Sequence, residues 1–212
     1  MTTADARRLL TRTPWSSLAG AFGPDPRVPR ALARLLDPDV PVPAARKALR
    51  RLEPAWHQGT VYEVTPAVTR FLAALLTGRA RRGTGAADGV DALLLGCLAF
   101  QARDHDDARV ALVEEWSGEG YLSRAPDVVA LLALRPALHR AAAPFLDDPA
   151  AEVRVHALTV ALAAAEHPDL APHRPALAAR ARLLLPPPAP EPAAEPATWW
   201  VEFRAGADTP PF

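Results

Sequence analysis

Apolar residues recur along this chain at the spacing i, i+3, i+4 and i+7, which places them on one face of a helix. No comparable run alternates with a period of two, as a half-buried strand would. The clearest stripes are Ala45, Ala48, Leu49, Leu52 and Trp56; Val68, Phe71, Leu72, Leu75 and Leu76; Val90, Leu93, Leu94, Cys97 and Leu98; and Leu138, Ala141, Ala142, Phe145 and Leu146. This pattern predicts an all-α protein.

Local signals indicate where these helices begin. Thr65 is a good N-cap and Pro66 suits the first helical position, so the second stripe is expected to start there. Asp88 is expected to open the third, and Asp106 or Asp107 the helix of "ARVALVEEW". The breaks between helices are short and contain Pro, Gly or Asp, which predicts antiparallel helical hairpins.

The chain also shows signs of an internal repeat. "LLDPDVPVPAARKALRRL" and "FLDDPAAEVRVHALTVAL" have the same order of parts: a helix end, an Asp-Pro turn and a second helix. Their Asp-Pro dipeptides begin at Asp37 and Asp148, 111 positions apart, which divides into three units of about 37 residues. Such a period is typical of helical-hairpin repeats.

On these segments the chain resembles the HEAT-repeat family, and in particular small bacterial HEAT-repeat proteins frequent in actinobacteria. "LDDPAAEVRVHALTVAL" resembles the turn and second helix of a HEAT unit, and the likeness covers residues 14–76 and 136–185. It implies that Asp147 or Asp148 bonds backbone or Arg154. It also implies a short, armadillo-like α-solenoid with a concave binding face, expected over residues 13–185.

Composition narrows the range of partners and sites. The chain carries 24 basic and 24 acidic residues, so no net field attracts nucleic acid or anionic lipid. Lys47 is the only lysine, a composition typical of a GC-rich bacterial genome. Cys97, the only cysteine, lies in an apolar run and is expected to be a buried thiol. Without a signal-peptide pattern or an uncharged span of about 18 residues, we expect a cytoplasmic protein away from membranes.

The C-terminal region has a different composition. Residues 186–198 are rich in Pro, Ala and Glu, which predicts an extended linker. Residues 199–212 contain an aromatic cluster with Trp199, Trp200 and Phe203. Three interpretations stay open for this tail: it caps an exposed end of the solenoid, it binds a partner, or it is disordered.

Two charged segments were considered as sites. Asp104, His105, Asp106 and Asp107 could attract a divalent ion, but consecutive side chains rarely converge, and helix capping or a solvated loop explains them better. The second segment is a basic turn that could touch phosphate but is more simply a solvated connection. Its arginines are Arg79, Arg81 and Arg82.

The stretch "AWHQGTVYEVTP" concentrates aromatic and polar side chains, among which His57, Tyr62 and Glu63 are capable of acid-base chemistry; its candidate residues are Trp56, His57, Gln58, Tyr62 and Glu63. We interpret it as the joint between two hairpins, with a helix over residues 44–56 and Gly59 as its left-handed C-cap. His57 would then stabilise the negative end of that helix. The alternative, His57 as a general base near Tyr62 and Glu63, finds no nucleophile or pocket in the sequence.

These observations favour a non-enzymatic protein-binding scaffold or adaptor, in one version a toxin-neutralising immunity protein, that needs no cofactor. The joint residues and the aromatic tail are its candidate contact sites. The alternative is a HEAT-like enzyme acting on nucleic acid, such as a DNA glycosylase. That activity needs a continuous positive groove, which a chain without basic excess does not favour.

Overall fold

The computed structural model describes residues 2–80, 87–118 and 120–184. This part of the chain holds eleven α-helices and no β-strand, so the all-α prediction is confirmed. The helices are α1 (Thr3–Arg12), α2 (Arg27–Leu35), α3 (Val42–Arg50), α4 (Thr65–Ala80), α5 (Gly89–Asp104), α6 (Asp107–Ser117), α7 (Tyr121–Arg124), α8 (Pro126–Leu132), α9 (Arg135–Ala142), α10 (Ala151–Ala164) and α11 (Arg174–Leu184). The predicted linker and tail, residues 186–212, lie outside the described residues.

The two longest helices, α4 and α5, form a central antiparallel hairpin. Thr69 hydrogen-bonds Gln101, and Arg79, ten residues further along α4 and nearer to the connection, pairs with Asp91. The separation of the paired residues shrinks toward the connection, as antiparallel packing requires. Both pairs are buried, so they fix the register of the two helices.

The predicted apolar stripe of α4 is buried, yet α4 is not amphipathic. Every residue from Phe71 to Arg79 is buried, because α1 covers the face turned away from α5, α8 and α9. Gly78 makes the contact with α1 close: a Cβ there would lie 2.3 Å from the backbone nitrogen of Thr3. This N-terminal helix precedes residue 13, where the solenoid was expected to begin.

Neighbouring helices pack in sequence on either side of the central hairpin. α3 packs on one side of α5 and also on α2, while α10 packs on the other side of α5. α9 packs on both α4 and α10, and α11 packs on α10 through a smaller core around Leu158 and Leu177. The short segment α6–α7 stands between α5 and α8 in the chain and contributes no buried residue.

The predicted helix starts agree with the structure in position, although Thr65 is the first residue of α4 and not its N-cap. Pro66 lies in the first turn of α4, and the Thr65 hydroxyl accepts a hydrogen bond from the Tyr62 backbone N–H and donates one to the Ala55 carbonyl. Asp88 caps α5 in a reciprocal capping box with Asp91. These starts follow from side chains within a few residues of the boundary, which is why the sequence suffices to find them.

The predicted helix over residues 44–56 is wrong at its C-terminal end. α3 ends at Arg50 and is followed by two short 3₁₀ turns, Glu53–Ala55 and His57–Gly59. Pro54 is the physical reason: it has no N–H for the carbonyl of residue 50, and its ring would clash with that carbonyl. His57 therefore does not stabilise the end of α3.

The segment Pro126–Phe145 is long and apolar enough, by length and composition alone, to span a membrane. In the structure it is divided between α8 and α9 at Ala133 and Leu134. Val128, Leu131 and Leu138 are buried in this segment, which packs against α4 and α10, whereas Val129 is exposed. The segment thus supplies core helices to this fold.

Candidate functional site

The joint residues lie in an irregular segment between α3 and α4. Gln58 and Gly59 both have positive φ, at 56° and 68°, so the left-handed backbone begins one residue before the predicted glycine. Trp56 and Tyr62 pack partly buried against the main core, whereas Gln58 is exposed. The segment turns the chain sharply between two helices.

His57 pairs with a carboxylate from its own segment. Its Nδ1 contacts Oε1 of Glu53, and its ring packs on Phe22 with the centroids 5.3 Å apart. The Tyr62 hydroxyl donates to the His57 carbonyl oxygen at 3.4 Å, so it does not meet the imidazole. Phe22 is 73% exposed and covers part of the His57 ring at the surface.

Glu63 and the backbone on either side of it bind the loop that precedes α2. The Ala19 N–H donates to Glu63 Oε2 at 3.0 Å, and the Val64 N–H donates to the Ala19 carbonyl at 3.2 Å. A third bond runs from the Ala21 N–H to the Pro54 carbonyl at 2.9 Å. The carboxylate of Glu63 therefore has a structural partner in the backbone of that loop.

Asp127, in the first turn of α8, lies near Glu63. Its pKa is raised above the usual value, chiefly by desolvation and secondly by the negative charge of Glu63. Two carboxylates close together could suggest acid-base chemistry. Glu63 already accepts a backbone hydrogen bond, however, and no joint residue lines the recess between α5, α8, α9 and α10. The joint is best explained as a packed corner.

The acidic segment after α5 joins three helices. Asp106 caps α6 as expected, accepting from the Arg109 N–H at 2.8 Å. Arg135 donates to Asp107 Oδ1 at 2.7 Å and to Glu166 Oε2 at 2.8 Å, and the Asp107 N–H donates to the same Glu166 oxygen at 2.7 Å. We call these three side chains the Arg135 clasp.

Burial makes the clasp sensitive to charge. Desolvation is the main reason that the pKa of Glu166 is raised, with Asp107 and Asp106 adding to the effect and the Asp107 N–H and Arg135 opposing it. The carboxylates of the clasp are satisfied by an arginine and a backbone N–H. No group of three or more His, Cys, Asp or Glu able to hold a metal occurs among residues 2–80, 87–118 and 120–184.

A small recess lies beside the clasp, between α5, α8, α9 and α10. Its volume of about 20 Å³ suits a single water molecule, and mostly apolar side chains line it. Gln101, 2% exposed, contributes an amide nitrogen with no partner in the described structure. A recess of this size cannot receive a nucleobase or another organic substrate.

Arg79 does not belong to a solvated basic turn, contrary to the sequence interpretation. Its side chain is 7% exposed, and it donates to Asp91 Oδ1 and Asp88 Oδ2, both at 2.5 Å. The carboxylates at the start of α5 therefore neutralise it. Arg81 and Arg82 lie outside the described residues.

The Asp-Pro turn before α10 behaves as the HEAT resemblance implied. Asp148 accepts hydrogen bonds from the N–H groups of Ala150, at 2.9 Å, and Ala87, at 2.6 Å. Arg154 donates to the Asp148 and Pro149 carbonyls, at 2.7 and 2.8 Å. The bond to Ala87 is a long-range tie from this turn to the start of α5, which the sequence did not predict.

Two exposed apolar residues on α6 were not among the residues singled out from the sequence. Trp116 is 73% exposed and Leu112 is 39% exposed, and they lie one turn apart on α6. None of the eleven residues of α6 is buried. One feature of the sequence could have indicated this exposed surface. A Trp lies in the predicted helix between Asp106 and Gly118, and the apolar residues of that helix form no continuous stripe.

Comparison with protein-family models, with curated proteins and with solved structures finds no significant match to this chain. The HEAT resemblance therefore rests on the quoted residues alone and stays a prediction. The aromatic tail residues Trp199, Trp200 and Phe203 lie outside the described residues, so their role also stays a prediction.

Proposed function

We propose that this protein is a non-enzymatic, cytoplasmic protein-binding scaffold, built as a short HEAT-like α-solenoid, and that α6 carries its principal contact surface. The succession of packed helix pairs α2–α3, α4–α5 and α9–α10 supports the solenoid part of the proposal. One concrete form of such a scaffold is an immunity-type protein that covers a toxin.

The observation that carries the binding role is the exposure of Trp116 together with Leu112. A tryptophan contributes a large apolar area and is among the residues most enriched at the energetic centres of protein interfaces. Because α6 buries none of its residues, it adds little to the core. Core packing therefore does not explain why a Trp is present on this helix. Covering by a partner explains it.

Site-specific photo-crosslinking in the native host tests this proposal. A photoreactive amino acid at position 112 is expected to form an adduct with a defined protein, and Trp116→Ala is expected to abolish it. The matched control replaces Leu183, which is 87% exposed at the end of α11 and is not part of the proposed surface. The absence of an adduct at 112, or the same adducts at 112 and 183, would refute the proposal.

His57→Ala separates the scaffold from an enzyme. In the scaffold this change removes only a half-exposed ion pair, so the free energy of unfolding should fall by roughly 0.5–1 kcal/mol, and binding through α6 should persist. A glycosylase-like enzyme predicts the reverse: loss of base release from modified DNA at an unchanged melting temperature. Base release by the purified wild-type chain would overturn the scaffold proposal.

A further inference from the structure

The exposed face of α6 has a defined composition. Leu112 and Trp116 are four residues apart and therefore lie on one side of the helix, with Val113 beside them. Arg109 stands three residues before Leu112 and Glu115 three residues after it, both exposed. The surface is thus an apolar strip about one to two turns long with one charge at each end.

α6 is held at its two ends, which leaves this strip open. The Arg135 clasp fixes Asp107 at the N-terminus, and the guanidinium of Arg124 donates to the Ser117 carbonyl at 3.0 Å near the C-terminus. α6 makes only a small contact with its neighbour α7. The helix is therefore presented to solvent by anchors that do not involve Leu112 or Trp116.

The segment of the chain that carries the strip is acidic in sequence. Residues 106–124 contain five carboxylates and two arginines, Arg109 and Arg124. Arg135 from α9 compensates Asp107, while Glu115 is exposed beside the strip and has no ion pair among the described residues. A partner with the opposite charge would gain electrostatic attraction as well as apolar contact at this surface.

From these observations we infer that the α6 surface binds a basic amphipathic segment of a partner protein. The apolar side of that segment covers Leu112 and Trp116, and its Lys or Arg side chains lie against Glu115 and the neighbouring carboxylates. A helix that presents anchors at i, i+3 and i+4 matches the length of the strip. This inference rests on the proposed function, since it specifies the partner of the same surface.

Charge also distinguishes this occupant from three others. Residues 185–212 carry four carboxylates and one arginine, so the chain's own tail would bring like charge to α6. A second copy of the chain would place one acidic α6 surface against another. Anionic lipid is disfavoured for the same reason.

Two model peptides test the inference with the full-length chain. One is an amphipathic leucine/lysine helix of about 18 residues, and the other has the same apolar pattern with every lysine replaced by glutamate. Fluorescence anisotropy of the labelled peptides in low salt is expected to give at least roughly tenfold tighter binding of the basic peptide. Raising the salt concentration should narrow this preference, because the charges are exposed.

Four variants locate the binding and its charge dependence. Trp116→Ala is expected to weaken binding of the basic peptide about tenfold or more, whereas Leu183→Ala should leave it unchanged. Glu115→Lys should reduce the preference for the basic peptide at least about threefold. Asp39→Lys changes the net charge equally at an exposed loop position away from α6 and should have no such effect. Circular dichroism of each variant verifies that it is folded.

Several results would overturn the inference. Equal affinity for the two peptides, or a preference that Glu115→Lys leaves intact, would remove the charge argument. Binding that depends on Trp116 to a peptide of residues 199–212, to a second copy of the chain or to anionic vesicles would assign the surface to another occupant. A crosslinked partner at position 112 whose contact segment is not basic would refute this inference while leaving the proposed function standing.

Discussion

The buried Arg79 ion pairs provide the sharpest test of how the central hairpin is held. Arg79→Ala removes a guanidinium that is 7% exposed and leaves Asp91, whose side chain is 12% exposed, without its cation. Removing one partner of a buried pair costs about 3–5 kcal/mol. Asp88 is 59% exposed and can regain water, so we expect the lower end, about 3 kcal/mol of unfolding free energy.

Urea unfolding followed by circular dichroism at 222 nm measures this loss. With a slope of about 2 kcal/mol per molar urea, the midpoint should fall by about 1.5 M. Arg34→Ala is the matched control, because Arg34 pairs with Asp37 at the surface, and it should cost less than about 0.5 kcal/mol.

A double-mutant cycle isolates the interaction itself. Arg79→Met keeps most of the aliphatic stem, and Asp91→Asn keeps the shape of the carboxylate, so the cycle reports chiefly the charged contact. We expect a coupling energy above about 1 kcal/mol. A loss under about 0.5 kcal/mol for Arg79→Ala, together with a coupling energy near zero, would refute the assignment of Arg79 as the tie between α4 and α5.

Three further predictions use the same unfolding assay. Asp148→Ala should lower the free energy of unfolding by about 2 kcal/mol, because it leaves two backbone N–H groups without their acceptor. Asp147→Ala, which removes an exposed pair with Arg180, should cost less than about 1 kcal/mol. Equal losses for the two variants would contradict the role of Asp148. Gly78→Ala should destabilise the fold by about 1–3 kcal/mol, because the added Cβ clashes with the α1 backbone. Gly96→Ala is the control: its Cβ would stand 3.6 Å from the nearest atom, so it should be neutral or stabilising by up to about 1 kcal/mol. A neutral Gly78→Ala would show that α1 does not need this close approach. Desolvation first, and then the neighbouring His173 and Arg140, lower the pKa of His139 below 6.5 in the folded chain. Protonation of His139 in the unfolded chain should therefore reduce stability as the pH falls from 7 through 6.5. His139→Gln should flatten this pH dependence of stability, and an unchanged pH profile would contradict the prediction.

Features that depend on nearby residues could be predicted from the sequence. The all-α class follows from apolar spacing. The starts of α5 and α6 follow from Asp88 and Asp106, whose side chains accept hydrogen bonds from backbone N–H groups within three residues. α4 starts at Thr65, whose hydroxyl bonds the backbone of Tyr62, three residues away, and of Ala55, ten residues away. The end of α3 was also open to prediction, since Pro54 alone excludes a helix that continues to residue 56.

The partners of the joint residues could not be predicted from the local sequence. His57, Tyr62 and Glu63 stand close in sequence, but Glu63 binds Ala19, 44 residues earlier in the chain, and His57 binds Glu53. Residue types alone could not distinguish acid-base chemistry from these structural bonds. The partners come from another segment or from the turn geometry around Gln58, and both are set by the fold.

The helical class, the main helix starts and the apolar residues available for a core can be read from the sequence, because each depends on hydrogen bonds and periodicity within a few residues. Which charges are buried and which apolar residues stay exposed depends on tertiary packing. Arg79 and Trp116 illustrate this: the arginine is buried because two carboxylates of α5 meet it, and the tryptophan is exposed because α6 is anchored at its ends. Burial of a residue depends on which distant parts of the chain pack against it, and a local sequence pattern does not contain that information.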